Sequence, residues 1–229
     1  SKIKKPIVWT LHDMWAFCGA EHYTEDHRWR DGYLDNNRPA YESGFDLNLW
    51  TWKRKEKHWK TPIQIITPSK WLAECVSKSM LMRNWPLNVI SYPIDTDFWK
   101  PISKKIMREQ LDLPKDVTLL LFGAFDSEKD QRKGYDLLLS TLEQLRAHSK
   151  FHDVELVVFG QNKPKLLAKH AIPIHYMGKI HDDESLRAIY NASDVILIPS
   201  RQDNLPNIAL EAQACGIPVI SFNVGGLPD

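Results

Sequence analysis

The sequence predicts an α/β protein built on parallel sheets, and three observations support that expectation. The C-terminal part alternates short apolar, β-rich runs with helix-like stretches, as βαβ units do. The runs, VTLLLFG and VELVVF among them, are apolar at successive positions, which marks strands covered on both faces. All nine tryptophans (Trp9, Trp15, Trp29, Trp50, Trp52, Trp59, Trp71, Trp85 and Trp99) fall in the first 99 residues, so the chain divides into two parts of different composition.

The elements of the first part are a strand at 7–11 (IVWTL), a strand at 63–67 (IQIIT), a helix at 69–82 opened by the Ser69 cap, and a strand near 88–92. Between residues 12 and 46 lies a long polar and aromatic stretch. A loop of that length in a compact domain is usually functional or disordered, and its seven aromatic residues favour function. The segment YPIDTDFWKPIS (92–103), with two prolines and several turn-forming acids, reads as a linker, and the domain boundary is placed at 98/99. Beyond it, strands are expected at 117–123, 154–159, 174–177, 194–198 and 217–222. The helices between them are expected at 134–149, 163–170, 182–192 and 206–215. Ligands of such a sheet sit at the carboxyl ends of the strands, which directs attention to the loops there.

Composition narrows the function classes. With 43% hydrophobic and 26% charged residues in 229, the chain is that of an ordinary globular protein. Its net charge of +1 divides into +3 over residues 1–100 and −2 over 101–229, which leaves no whole-chain nucleic-acid footprint. Apolar runs such as 117–125 are too short to span a bilayer, and the basic start SKIKKP leads into no signal-peptide core, so a cytoplasmic location is expected. Cys18, Cys75 and Cys215 lie far apart without a CxxC pair, as free thiols do.

Four stretches could carry chemistry. In RQDNLPNIALEAQACGIPVI (201–220), Asp203 precedes a helix opened near Pro206, and Glu211 lies about one and a half turns inside it. Such acids can accept hydrogen bonds from a sugar diol while the helix start offers N–H groups to a phosphate; a capping acid and an ordinary surface glutamate would look the same. In FGAFDSEKDQRKGYDLL (122–138), Arg132 and Lys133 stand before a helix start, where they could neutralise a diphosphate or form part of a solvated charged loop. His12 ends the first strand ahead of the long loop, with Asp13 beside it. In FDLNLWTWKRKEKHWK (45–60), three tryptophans stand among five Lys and Arg side chains. This suits either a peripheral contact with an anionic membrane or a helix whose tryptophans pack inward.

Taken together, SRQDNLPNIALEAQACGIPVISFNVGG, RKGYDLLL, ASDVILIPS, TPSKWLAECV and YPIDTDFWKP resemble the family 4, or group 1, glycosyltransferases over nearly the whole chain. The resemblance implies the GT-B fold: two Rossmann-like domains with parallel sheets, the N-terminal one incomplete here. Residues 1–98 would be the C-terminal portion of the acceptor-side domain. Residues 99–229 would be the nucleotide-sugar donor domain, itself short of its C-terminus. The implied activity is retaining transfer of a sugar from a nucleotide-sugar donor to a glycan or lipid-linked acceptor, with no obligatory metal or other cofactor, in polysaccharide biosynthesis at the inner face of the plasma membrane.

The family's E-x7-E motif appears as Asp203-x7-Glu211. It implies that Glu211 holds the ribose hydroxyls and that Asp203, Asn204, Leu205 and Pro206 face the donor sugar. The diphosphate would lie on Lys133, with Arg132 substituting for an arginine the family usually carries where Ala124 stands. The backbone at Gly178 and Lys179 would line the base pocket, and His12 would sit near the anomeric carbon with Asp13 close by. A nucleotide-binding module without activity, or a GT-B epimerase or hydrolase acting on the donor alone, would share these residues.

Overall fold

The computed structural model of the protein describes residues 5–123, 130–147, 153–160 and 172–229. The chain divides after Tyr92: residues up to Tyr92, with 228–229, form one compact unit and residues 93–227 another. The division falls six residues ahead of the expected 98/99, because Ile94, Phe98 and Trp99 pack on the core of the second unit.

In the first unit, β1 (Val8–Thr10), β2 (Gln64–Thr67) and β3 (Leu87–Val89) form a parallel sheet in that order. Between β1 and β2 lie a single turn, α1 (Arg28–Asp31), and a longer helix, α2 (Leu47–His58). The Asp46 side chain opens α2 by accepting from Leu49 N at 2.8 Å. Helix α3 (Lys70–Lys78) is capped by Ser69, whose Oγ accepts from Leu72 N at 3.0 Å. It stops four residues short of the expected 82, where the Ser79 hydroxyl donates to Val76 O and accepts from Met82 N, replacing the helical ladder.

The long stretch after β1 is folded and contributes to the core. Phe17, Cys18, Trp29 and Tyr33 are buried with Trp52, Ile65 and Leu72. Its buried aromatic residues therefore have a packing reason, whereas Tyr41 and Phe45 are exposed. Lys55 pins the segment from α2: its buried ammonium donates to the carbonyls of Cys18 (3.0 Å), Gly19 (2.7 Å) and Trp15, and lies 3.9 Å from the centre of the Trp15 ring. Burial pushes that ammonium down to about 8. A second buried cation, Arg28, is neutralised by Asp26 and Glu42.

In the second unit, β4 (Thr118–Gly123), β5 (Val154–Phe159), β6 (Ile174–Gly178), β7 (Val195–Ile198) and β8 (Val219–Ser221) form a parallel sheet of order β6-β5-β4-β7-β8. Its helices are α4 (Lys104–Gln110), α5 (Tyr135–Ala147), α6 (Asp183–Ala192) and α7 (Asn207–Ala214). The helix expected at 163–170 lies outside the described residues.

Alternation along the central strands covers both faces. Leu119, Leu121, Val157 and Ile196 share a core with residues of α6 and α7, whereas Leu120, Phe122, Leu156 and Val158 share one with Leu138 and Leu142 of α5. The short α4 was not legible as a helix. It is anchored by its own buried Arg108, which donates to Ala192 O (2.8 Å), Lys115 O (2.8 Å), Val117 O (3.0 Å) and Asp194 (2.6 Å).

Strand order reverses between β4 and β7. The first strand of the unit has the next two on one side and the last two on the other, so β4 and β7 flank the switch point of the sheet, beside whose carboxyl ends ligands of such sheets bind.

Candidate functional site

Residues 130–134, ahead of α5, meet the loop after β7. Gln131–Lys133 form one 3₁₀ turn, opened by Asp130, whose carboxylate accepts from Arg132 N at 3.1 Å. Gly134 then takes φ +70°, and a β-carbon there would stand 1.9 Å from the Pro199 carbonyl oxygen. Only glycine permits both the left-handed turn and the close approach. Arg201 ties the two loops from the other side, donating its N–H to Arg132 O (2.8 Å) and its guanidinium to Gln131 O (2.7 Å) and to both Asp136 oxygens (2.8 and 2.6 Å). The Arg201 bonds hold Asp136 down at about 2.

Asp203, expected to face a sugar, is 6% exposed and lies against the cations. Oδ2 accepts from Lys133 Nζ at 2.7 Å and from the Ser200 hydroxyl at 3.4 Å, with Arg132 Nη1 also 3.4 Å away. Oδ1 accepts from Asn204 N at 3.0 Å. Arg132 is further fixed by donating to Gln202 O and to Asp130, both at 3.0 Å. The Asp203 carbonyl accepts from Gly226 N at 3.0 Å, and Gly225, at φ +58°, brings its backbone so near that a β-carbon would lie 2.0 Å from that oxygen. The acid is thus the hub of a clamp made from three loops, and it holds two cationic heads.

Asn204 is buried, Leu205 and Pro206 are half-buried, and α7 starts at Asn207. Proline brings no side-chain acceptor to cap the helix, so the first-turn N–H groups of α7 suit an anionic ligand. Glu211 lies on α7, half-buried, with Oε2 accepting from the Tyr190 hydroxyl of α6 at 2.7 Å. Burial raises Glu211 above the usual carboxylate range, nearby Asp183 adds to the rise, and the Tyr190 bond opposes it. One oxygen is therefore anchored, and the carboxylate's direction is set by a tyrosine that is itself wholly buried. Gly178 closes β6 in the left-handed region (φ +70°), after a bulge that pairs it with Phe159, and its carbonyl accepts from Gly160 N at 2.8 Å; Lys179 follows it.

In the first unit, His12 and Asp13 follow β1 with partners of their own. The exposed His12 shares a hydrogen bond of 2.6 Å between Nδ1 and the Tyr92 hydroxyl and stacks on that ring at 5.5 Å. Asp13 accepts from Trp15 N at 2.8 Å and meets His22 Nδ1 at 2.7 Å. The second unit therefore brings together Arg132, Lys133 and Asp203, whereas His12 and Asp13 form a separate pair of polar centres in the first. Among the described residues no three His, Cys, Asp or Glu side chains gather as a metal cluster.

Sequence reasoning missed Tyr92, Tyr190, Ser200 and His22. Tyr92 and Ser200 stood inside quoted motifs, but nothing in their spacing announced their partners.

Residues 116–229 match the family described as glycosyl transferases group 1. A D-inositol 3-phosphate glycosyltransferase of Xylanimonas cellulosilytica is 31% identical over 157 residues, 62% of this chain and 36% of that protein. The protein of the same name from Mycolicibacterium smegmatis is 29% identical over 153 residues, 62% of this chain and 33% of its own length. The chain thus spans about a third of the length of these curated relatives.

Among solved structures, sucrose-phosphate synthase from Thermosynechococcus elongatus superposes with a TM-score of 0.62 at 24% identity, over 80% of this chain and 46% of that one. Anabaena HepE in complex with UDP and glucose gives 0.62 at 16% identity, over 97% of this chain and 54% of that one. No helix among the described residues is long and apolar enough to cross a membrane. The fold is that of GT-B glycosyltransferases, and residues 116–229 are similar to the group 1 glycosyltransferase domain.

Proposed function

We propose that the protein is a retaining glycosyltransferase of family 4 that moves a sugar from a nucleotide-sugar donor to a glycan or lipid-linked acceptor at the cytoplasmic face of a membrane, in polysaccharide biosynthesis. The observation that carries this reading is the pair of cations, Arg132 and Lys133, oriented by buried Asp203 in the unit whose strand order reverses between β4 and β7. A group 1 domain match and the UDP complexes of a structural neighbour support it.

On this reading the donor's diphosphate lies between the two cationic heads and the start of α7. Glu211 accepts from the ribose hydroxyls through the oxygen that Tyr190 leaves available. Gly178 and Lys179 present backbone to the base, and Asn204, Leu205 and Pro206 border the sugar. Asp203 acts chiefly by holding Lys133 and Arg132 in place, because both its oxygens already have donors.

Transfer forms a bond from an acceptor hydroxyl oxygen to the anomeric carbon and breaks the bond from that carbon to the phosphate oxygen. The acceptor's proton passes to the departing phosphate on the same face of the sugar. Negative charge building on that phosphate is met by Arg132, Lys133 and the α7 N-terminus, which are in position before the reaction. These two cations supply the counter-charge that a metal provides in other transferases. His12 and Asp13 are assigned to the acceptor side, with Tyr92 fixing the His12 ring.

The test is a thermal-shift screen against UDP-, GDP-, ADP- and TDP-sugars, followed by product analysis with and without acceptor. A shift with a UDP-sugar, lost in Glu211→Ala, is the expected result. No shift with any donor refutes the donor site, and donor turnover that is independent of acceptor refutes transfer.

A further inference from the structure

Strand β1 leads into a carboxylate and an imidazole that hold each other. Asp13 Oδ2 meets His22 Nδ1 at 2.7 Å, and Asp13 Oδ1 accepts from Trp15 N at 2.8 Å. His22 is also tied by its backbone, its carbonyl accepting from Met14 N at 2.9 Å. The next residue, Tyr23, stacks on Trp71 of α3 with ring centres 6.4 Å apart and planes 13° from parallel. The His22 side chain is nevertheless 72% exposed, and its Nε2 has no hydrogen-bond partner among the described residues. An exposed imidazole is thus held from three directions beside the carboxyl end of a parallel strand, where ligands of such sheets bind.

The carboxylate also decides the chemistry of the ring. An ionised carboxylate only accepts, so Nδ1 carries the proton and Nε2 keeps its lone pair. Tyr92 does not fix His12 in this way, because a hydroxyl both donates and accepts. Asp13 has both oxygens engaged by its own loop, which leaves the outward nitrogen of His22 to meet a ligand.

We propose that His22 binds a hydroxyl of the acceptor sugar through Nε2 and that Asp13 is its positioning residue. The inference rests on the transferase reading and passes the acceptor-side contact from Asp13 to His22. The hydroxyl bound is not the attacking one, whose proton leaves with the phosphate. A surface ion pair contributes little by itself. A lone pair fixed in one direction before the ligand arrives can instead select sugars by whether an O–H points at it.

NMR spectra of the intact protein, with isotope-labelled histidine nitrogens, are recorded at about pH 8, above the ordinary histidine range. His22, identified by the signals missing in His22→Ala, should show a protonated Nδ1 and an unprotonated Nε2. Asp13→Asn keeps an oxygen for Trp15 N and turns an amide N–H toward Nδ1, so the proton should move to Nε2, the wrong tautomer that this substitution produces in a Ser-His-Asp triad. Titration with methyl glucoside, methyl galactoside and methyl mannoside, with and without UDP, should move the Nε2 signal for at least one of them. Saturation-transfer spectra of that sugar should show affinity about three- to tenfold lower in Asp13→Asn and in His22→Ala, the loss of one neutral hydrogen bond. UDP binding, followed by calorimetry, should be unchanged in both variants. It reports on the donor reading and the His22 signals on this one, so the two fail separately. A wild-type proton on Nε2, no response to any of these sugars, or sugar binding unchanged in both variants overturns the inference and leaves an ordinary surface ion pair.

Discussion

Replacing Lys133 by methionine keeps most of the side-chain volume and removes the charge that neutralises Asp203. The carboxylate, whose side chain is 9% exposed, would keep Asn204 N at 3.0 Å, the Ser200 hydroxyl at 3.4 Å and Arg132 at 3.4 Å. Breaking a fully buried ion pair costs about 3–5 kcal/mol. Here the remaining donors and the partial exposure of Lys133 bring the cost down to about 2 kcal/mol, within the range for leaving a buried polar group unsatisfied. For a unit of this size that lowers the melting temperature by about 7 °C.

Adding Asp203→Asn removes the orphaned charge while keeping an oxygen to accept from Asn204 N. The double variant is therefore expected to be about 1 kcal/mol more stable than Lys133→Met alone. Calorimetry is the appropriate readout, because of the nine tryptophans only Trp99 belongs to this unit and fluorescence would follow the other one. Titration calorimetry with UDP should show affinity falling about tenfold or more in Lys133→Met, the loss of one charged hydrogen bond. A double variant no more stable than the single one, or unchanged UDP affinity, would sink the proposal that Asp203 holds Lys133 for a diphosphate.

Glu211, raised in the folded state by burial, binds its proton more tightly there than in the unfolded chain, so its contribution to stability falls as pH rises through its folded value. Glu211→Gln, which keeps an acceptor for Tyr190, should therefore melt above wild type at pH 7, with the gap closing toward pH 4, and should bind nucleotide poorly; a gap independent of pH speaks against a strained carboxylate. Lys55 titrates at about 8 in the folded protein and 10.5 when unfolded, so the unfolded chain holds more protons between those values and stability gains as pH rises across them. The midpoint difference between wild type and Lys55→Met should widen from pH 8 to 10.5, and a constant difference contradicts a buried ammonium. Gly134→Ala forces a β-carbon onto the Pro199 carbonyl at φ +70°, and should cost upwards of about 2 kcal/mol and weaken UDP binding together. Normal stability and binding in that variant would show that the two loops need not approach so closely.

The strands of the second unit and its helices around the site were legible because they depend on local pattern. Apolar runs at 117–123 and 154–159, the Ser69 cap and the helix start after Lys133 state their geometry within a few residues. The spacing of Asp203 and Glu211 likewise put one acid ahead of α7 and the other inside it. Helix α4 was not legible, because its stability comes from Arg108 reaching carbonyls and Asp194 up to 86 residues away. The aromatic stretch after β1 looked like a functional loop because its composition is polar. It is core because Lys55, 36–40 residues on, satisfies carbonyls that would otherwise be buried without a donor.

The sequence alone determined a parallel α/β architecture, two cations before one helix and two acids about another, since periodicity and spacing specify which residues share an element. Only the tertiary structure decided what those acids do. Asp203 turns to Lys133 across 70 residues, and Tyr190 sets the direction of Glu211 across 21. A carboxylate excluded from water must take whatever donor the fold brings to it, and that choice is made by packing between strands and helices that no local pattern records.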